Sequence, residues 1–288
     1  MNNFFIVTPT FNDWKSLNKL LFYLNKNIKG VKGKFNIIVV NDNSSEKREL
    51  DIKNLSYINN IKILNLKKNI GSQKAIYVGL KFLEKNKKKS IITVLDSDGE
   101  DNPFKLKKLI SLAARERRKI FVANRSGRRE NIFLRFLNKL RLIITFCLTG
   151  KYMNFGNFSS FSSDNLKNIF SNNNIWIAYS SGIMKNCKRI VGVDIKKGKR
   201  FYGDSKVKFK FLLDHTVKII CVFRKEFFLR TFLLLCLSIF FLRDKNFDLE
   251  LIIFFLFLNI SVFTYYKINN LNFNALKLIK NIKNLKTQ

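Results

Sequence analysis

The chain has 288 residues, 47% of them hydrophobic and 30 of them Phe, enough apolar material for one large domain with an appendage or two small ones. With 2 Pro, no low-complexity linker and no visible repeat, it is neither a disordered chain nor a repeat array. A net charge of +34 calls for anionic partners, yet no zinc-ligand Cys/His pairing or aromatic-rich RNA-binding strand accompanies it, so nucleic acid is not the expected partner and an anionic membrane or phosphate-bearing substrate is.

Met1-Asn2-Asn3 runs straight into strand-like Phe4 to Thr8, with no signal peptide pattern. Pro9 ends that strand. Asp13 is placed to cap a helix in which Leu17, Leu20, Leu21 and Leu24 recur at helical spacing. Phe35 to Val40 is a second strand and Ile61 to Leu66 a third. Asn69-Ile70-Gly71-Ser72 opens a helix with Ala75, Gly79, Phe82 and Leu83 on one face. Residues 91–96 form the fourth strand and Lys119 to Asn124 the fifth. Strands alternating with helical patterns predict an α/β fold with a mainly parallel sheet flanked by helices. Ligands of such sheets bind beyond the carboxyl ends of the strands. Four polar clusters fall there: Thr8 to Asp13, Asn41 to Ser45, Asn69 to Gln73, and Asp96 to Glu100.

The last cluster is the most informative. Ile91 to Leu95 reads as a buried strand, and Asp96, Asp98 and Glu100 follow it within five residues. Clustered carboxylates at the end of a buried strand repel one another and are costly to desolvate unless a cation sits among them. Asp96 and Asp98 face the same side if strand geometry persists, which suits a shared divalent ion. The alternative is a solvated acidic turn.

In order, the segments Phe5 to Asp13, Val39 to Ser44, Asn69 to Ala75 with Gly79-Leu80, and Leu95 to Pro103 resemble the family 2 glycosyltransferases, and within them the polyprenol-phosphate and dolichol-phosphate sugar transferases. Asn154 to Phe158 and Arg200 to Lys206 agree. The resemblance covers roughly residues 4–224 and implies a GT-A fold, a nucleotide-sugar donor, Mg²⁺ or Mn²⁺, and transfer with inversion. It assigns Pro9, Phe11, Asp13, Asp42, Gly71, Gln73, Asp96 and Ser97 to the donor pocket. Asp96, Asp98 and Glu100 become the metal ligands, and Asp96, Asp98, Arg200 and Lys206 the catalytic group. This chain departs from the family pattern in carrying Phe11 for Tyr, Asn41 for the first of an acidic pair, and Glu100 for Gln. Relatives often carry Asp near Asn154 or Asn157. Asn cannot accept a proton, so the obvious general base is missing. An acceptor phosphate, with a second pKa of about 6, is already anionic at neutral pH and does not need one. That favours a polyprenyl-phosphate acceptor in cell-envelope glycan synthesis over a lipid-linked saccharide or growing polysaccharide. A catalytically inactive basic binding protein on the same fold is the rival of another class.

Asn131 to Leu148 and Val207 to Val222 are basic amphipathic stretches suited to a membrane interface, though the first reads equally as a core helix. Arg125 to Arg129 is a basic loop, read as solvated or as facing phosphates. Phe227 to Leu242 and Leu251 to Tyr266 are apolar runs of 16 residues each, short of the ~20 of a typical span unless their flanks snorkel. Arg224, Lys225 and Arg230 lie at the start of the pair, and Lys267, Lys277, Lys280, Lys283 and Lys286 follow it. The positive-inside rule then predicts a transmembrane hairpin with both ends in the cytosol. The expected organisation is a catalytic domain over 1–224 and, over 225–288, two transmembrane helices with a basic cytosolic tail. The site is placed on the inner face of the cytoplasmic membrane, in a protein that could form homo-oligomers. Cys147, Cys187, Cys221 and Cys236 are too scattered for a disulfide framework and fit a reducing compartment.

Overall fold

A computed structural model describes residues 3–85, 89–126, 132–203, 209–242, 245–269 and 274–286. Two compact units emerge: 1–129 with 155–205 and 274–288, and 130–154 with 206–273. They divide the chain differently from a single boundary at 224, because the C-terminal segment returns to the first unit.

The first unit is built on an eight-stranded sheet. Its strands are β1 (Asn3–Thr10), β2 (Lys34–Asn41), β3 (Asn60–Leu66), β4 (Ile91–Val94), β5 (Ile120–Ser126), β6 (Phe155–Ser162), β7 (Ile190–Lys196) and β8 (Ile279–Lys286), in the order β7-β5-β6-β4-β1-β2-β3-β8. β1 runs parallel to β2 and β4, β2 to β3, and β5 to β7, whereas β6 is antiparallel to β4 and β5, and β8 is antiparallel to β3. The sheet is therefore mostly parallel but mixed. Its central strands read as unbroken apolar runs because both faces are covered. On one face α1 (Trp14–Ile28) buries Leu17, Leu20, Leu21 and Leu24 completely. There α3 (Leu106–Arg115) adds Leu106, Leu109 and Ala113 to the same core. α2 (Ser72–Lys85) lies close against β1 and β2, since a methyl on Gly79 would sit 2.6 Å from Val7 Cγ1. α5 (Leu166–Ile169) and α6 (Tyr179–Asn186) complete this unit.

All five strands expected from the sequence are present, the fourth ending at Val94 rather than at residue 96. Three further strands carry weaker signals. β6 is Phe-Gly-Asn-Phe-Ser-Ser-Phe-Ser, and its Ser159, Ser160 and Ser162 are fully buried, so apolar patterning does not reveal it. Ser160 Oγ instead bonds Thr93 Oγ1 across the strands at 3.0 Å. β7 alternates only over its second half. The segment expected as a basic tail is β8. Asn41, Asn65 and Asn281 form a side-chain ladder across β2, β3 and β8, with bonds of 2.8 and 2.6 Å. Lys280 and Lys283 are exposed on this edge strand, and charge there discourages edge-to-edge pairing.

The second unit holds α4 (Ile132–Thr149), α7 (Phe209–Val222), α8 (Arg224–Leu242) and α9 (Lys245–Asn269). The described residues of both interfacial stretches, 132–148 and 209–222, and both hydrophobic runs fall in these helices. One described helical segment, Leu249–Asn269, is long and apolar enough to cross a membrane, with a mean hydropathy of 1.8. The other half of the expected hairpin, α8, carries Arg224, Lys225, Glu226 and Arg230 in its first two turns. Arg230 Nη1 donates to the carbonyl of Cys147 at 3.2 Å, a favourable place for a cation in the last turn of α4. Within the apolar pair, Asn259 Nδ2 donates to Thr231 Oγ1 at 3.0 Å.

Removing residues 279–286 strips the cover from β3. A loss of about 2 kcal/mol is expected, seen as a melting midpoint lower by roughly 4–8 °C, together with new self-association in gel filtration. An unchanged midpoint would show that β8 adds nothing to the sheet.

Candidate functional site

The acidic loop after β4 is shaped by its own backbone. Asp96 N–H donates to Asp101 Oδ2 at 2.9 Å, and Glu100 N–H donates to Asp98 Oδ1 at 2.9 Å. Gly99 between them has φ +89°, a region that side chains with a Cβ rarely adopt. Asp101, buried, was not singled out from the sequence; its position five residues after Asp96, before the Asn-Pro turn, was the available signal. Ser97 is also buried.

Each predicted metal-site acid has a distinct partner. Asn157 Nδ2 donates to both oxygens of Asp96, at 3.0 and 3.2 Å. The antiparallel register that sets Val94 opposite Ser159 brings these two side chains together. Arg200 Nη1 donates to Asp98 Oδ2 at 3.1 Å, and its Nη2 reaches Asp13 Oδ2 at 3.4 Å. Lys197 Nζ pairs with Glu100 at 2.8 Å. Main-chain bonds reinforce the pairing: Gly198 N–H donates to the Glu100 carbonyl and Phe201 N–H to that of Asp98, both at 2.8 Å. The Phe201 ring packs over Gly99, where a methyl would lie 2.6 Å from Cε1. Residues 197–201 thus form a cationic strap across the acidic loop. Arg200 is joined to Asp98 and Asp13, whereas Lys206 lies outside the described residues, as do Gly127 to Asn131 of the basic loop region.

The remaining predicted residues surround this loop on neighbouring strand ends. Pro9 is buried within β1 and Phe11 is exposed just beyond it. Asp13 was expected to cap α1, but its side chain makes no cap bond and turns to Arg200 instead. The guanidinium offers the carboxylate a full opposite charge, which a cap N–H does not. Asn12, at φ +46°, ties this loop to the next by accepting from the N–H groups of Ser45 and Glu46. Asp42, assigned by resemblance to the nucleotide, is buried and accepts from the N–H groups of Ile70 and Gly71, each at 2.8 Å. Burial raises its proton affinity and those two bonds oppose the rise. Its carboxylate therefore shapes the turn at Gly71 (φ +83°) that starts α2. Gln73 faces inward, accepting from Tyr179 N–H at 2.7 Å and donating toward Asn157 Oδ1 at 3.4 Å.

Burial, followed by the charges of Asp96 and Glu100, pushes Asp98 up to about 6, against the Glu100 N–H bond and Arg200. A carboxylate raised in this way is what a divalent cation relieves, and Asp96 and Asp98 supply the hard oxygens that Mg²⁺ or Mn²⁺ takes. Among the described residues no three acidic, His or Cys side chains converge on one metal position. Glu100 is engaged by Lys197 and Asp98 by Arg200, each a cation that a metal ion on that carboxylate would have to replace.

The profile of glycosyl transferase family 2 matches residues 5–178. The chain belongs to this family. Its fold is GT-A, as in glucosyl-3-phosphoglycerate synthase from Mycobacterium tuberculosis, solved with Mn²⁺, UDP and glucosyl-3-phosphoglycerate; that match has a TM-score of 0.53 and 12% identity over 78% of this chain and 80% of the other. S. aureus TarS 1–349 in complex with UDP-GlcNAc aligns with a TM-score of 0.48 and 16% identity over 78% of this chain and 66% of that one. This chain spans 39% of the longer TarS structure. No curated protein sequence matches the chain.

Because its native pKa lies above the free value, Asp98 contributes stability that is present below about pH 4 and lost as pH rises through about 6. Asp98→Asn should therefore raise the melting midpoint at pH 7 in chelator by on the order of 1 kcal/mol, roughly 2–4 °C, with a smaller gain at pH 5. A midpoint lowered at pH 7 would show that Arg200 compensates the charge. Gly99→Ala, which meets Phe201 at a left-handed backbone position, should cost about 1–3 kcal/mol in denaturant unfolding. An unaltered unfolding curve would mean the strap does not pack on the loop.

Proposed function

We propose that this family 2 glycosyltransferase moves a sugar from a nucleotide diphosphate donor, with Mg²⁺ or Mn²⁺, onto a polyprenyl-phosphate lipid at the cytosolic face of a membrane, in cell-envelope glycan synthesis. The observation that carries this reading is the Asp96–Asp98 pair, one carboxylate held by an amide and the other strapped to Arg200. A divalent cation on the pair supplies Lewis-acid stabilisation of the departing diphosphate. The Mn²⁺ and UDP bound by the M. tuberculosis synthase support a donor of this kind.

The chain's own residues then have the following parts. Pro9, Phe11, Asp13 and Ser97 border the nucleotide, while Asp42 and Gly71 hold the turn beside it. Arg200, once its hold on Asp98 and Asp13 loosens, is a cation within reach of the leaving phosphates, and Lys206 follows it in the same segment. The acceptor oxygen bonds to the anomeric carbon as the bond from that carbon to the diphosphate breaks, inverting the centre. No proton need be removed if the attacking oxygen belongs to a phosphate. Asn157, beside Asp96, cannot remove one, and the bonds it gives to Asp96 leave it no basic role.

Membrane attachment rests on the second unit. Leu249–Asn269 is apolar with 6% of its most apolar stretch buried, and α8 exposes Phe228, Leu229, Phe232, Leu233 and Phe240. A patch of this extent suits lipid. The Thr231–Asn259 bond is the kind of polar link that joins helices inside a bilayer. Basic residues at both ends of the pair favour the cytosol.

Membranes containing the protein, given labelled UDP-sugars and Mn²⁺, should accumulate a lipid-extractable product labile to mild acid. Asp98→Ala should reduce it at least ~100-fold, the loss of several kcal/mol of leaving-group stabilisation. Label appearing only in acid-stable glycan would overturn the lipid phosphate acceptor. Undiminished turnover in Asp98→Ala would overturn the metal site.

A further inference from the structure

Gln73 and Asn157 make the most continuous hydrogen-bonded path in the site, and its polarity can be read without seeing hydrogens. The N–H of Tyr179 can only donate, so the Gln73 atom 2.7 Å away is its oxygen. Gln73 then turns its NH₂ toward Asn157, whose oxygen lies at 3.4 Å. Asn157 in turn presents its own NH₂ to Asp96, one nitrogen shared between both carboxylate oxygens at 3.0 and 3.2 Å. A second set of bonds steadies the strand: Ser159 Oγ donates to the main-chain carbonyl of Asn157 at 3.1 Å, which leaves it to accept from the Tyr179 hydroxyl at 2.8 Å. Tyr179 is fully buried, and burial pushes its hydroxyl well above the usual range, so it remains a proton donor.

We propose that Gln73 and Asn157 are positioning residues that fix the orientation of Asp96, through an amide chain whose direction is set by the main-chain N–H of Tyr179. This deepens the proposed function and rests on it, since Asp96 is taken there as a ligand of the divalent cation. It also gives Gln73 a role different from contact with the donor. The chain explains how two carboxylates can stand two residues apart on a buried strand end. The amide of Asn157 holds Asp96 without adding a charge, while Asp98 is met by Arg200. A carboxylate at 157 would place a third negative group against the pair. A carboxylate at 73 would act at one remove. It would still accept from Tyr179 but would leave only oxygen facing Asn157, whose amide would turn over and present its oxygen to Asp96.

The test uses the full-length protein in detergent with Mn²⁺ and UDP. Mn²⁺ affinity is followed by the free-ion electron paramagnetic resonance signal, and donor KM and kcat are measured separately. Gln73→Glu and Asn157→Ala should each weaken Mn²⁺ binding by roughly 10–100-fold, the range for groups that orient a metal ligand, with donor KM rising in parallel. Their melting midpoints in chelator report any plain loss of fold. Gln73→Met, close in shape and uncharged, serves if the glutamate variant does not fold, and should show a smaller loss of the same kind. Wild-type Mn²⁺ affinity in the folded variants overturns the positioning role while leaving the proposed function intact. A wild-type protein that binds neither Mn²⁺ nor UDP and transfers no sugar overturns the function itself, and the positioning role with it.

Discussion

Two carboxylates two residues apart at the end of a buried strand must be kept from repelling each other out of the fold. The rest of the site follows from how that is done. Asp96 is met by neutral amide hydrogens and Asp98 by the guanidinium of Arg200. Each solution requires a distant part of the chain at the right height on the sheet. The amide arrives on β6, placed by antiparallel pairing with β4, and the guanidinium by a strap that bonds main chain to main chain with the acidic loop. Even so, the burden is only partly lifted, since burial and neighbouring charges hold Asp98 at about 6. The residual repulsion sits where a cation would remove it, which is how binding free energy comes to be stored in a folded protein.

In the structure described here Arg200 spans Asp13 and Asp98, linking the ends of β1 and β4. Were a divalent cation and a diphosphate bound, Asp98 would serve the cation and Arg200 would be free to pair with phosphate oxygens. Exchange of one set of ion pairs for another costs less than creating the second set in an empty cleft. Gly99 is the hinge of this account, because its missing side chain is what lets Phe201 lie flat on the acidic loop.

Much of the sheet was legible because its central strands are covered on both faces and read as plain apolar runs, as Phe35 to Val40 does. β6 was not, because its inward positions are serines that satisfy one another, and β8 was not, because an edge strand protected by lysines looks like a charged tail. In the site, the ordered motifs singled out Asp98 and Arg200, which the fold brings into contact. What they could not supply was direction: Asp13 turns to Arg200 rather than to its helix, and Gln73 and Asp42 spend their polar atoms on neighbouring loops. Such pairings join residues separated by tens to more than a hundred positions, and local pattern carries no trace of them. Asn157 shows the point most clearly. In sequence it is the loss of a base; in the fold it is a donor to Asp96.

The central claim is that the Asp96–Asp98 pair exists to hold a divalent cation beneath a departing diphosphate. Anomalous diffraction from crystals grown with Mn²⁺ and UDP tests it directly. The account predicts a manganese peak coordinated by Asp98, with Asp96 beside it and Arg200 moved from Asp98 to the phosphates. UDP bound elsewhere, or no manganese at the pair and Arg200 still bridging Asp13 and Asp98, would contradict it.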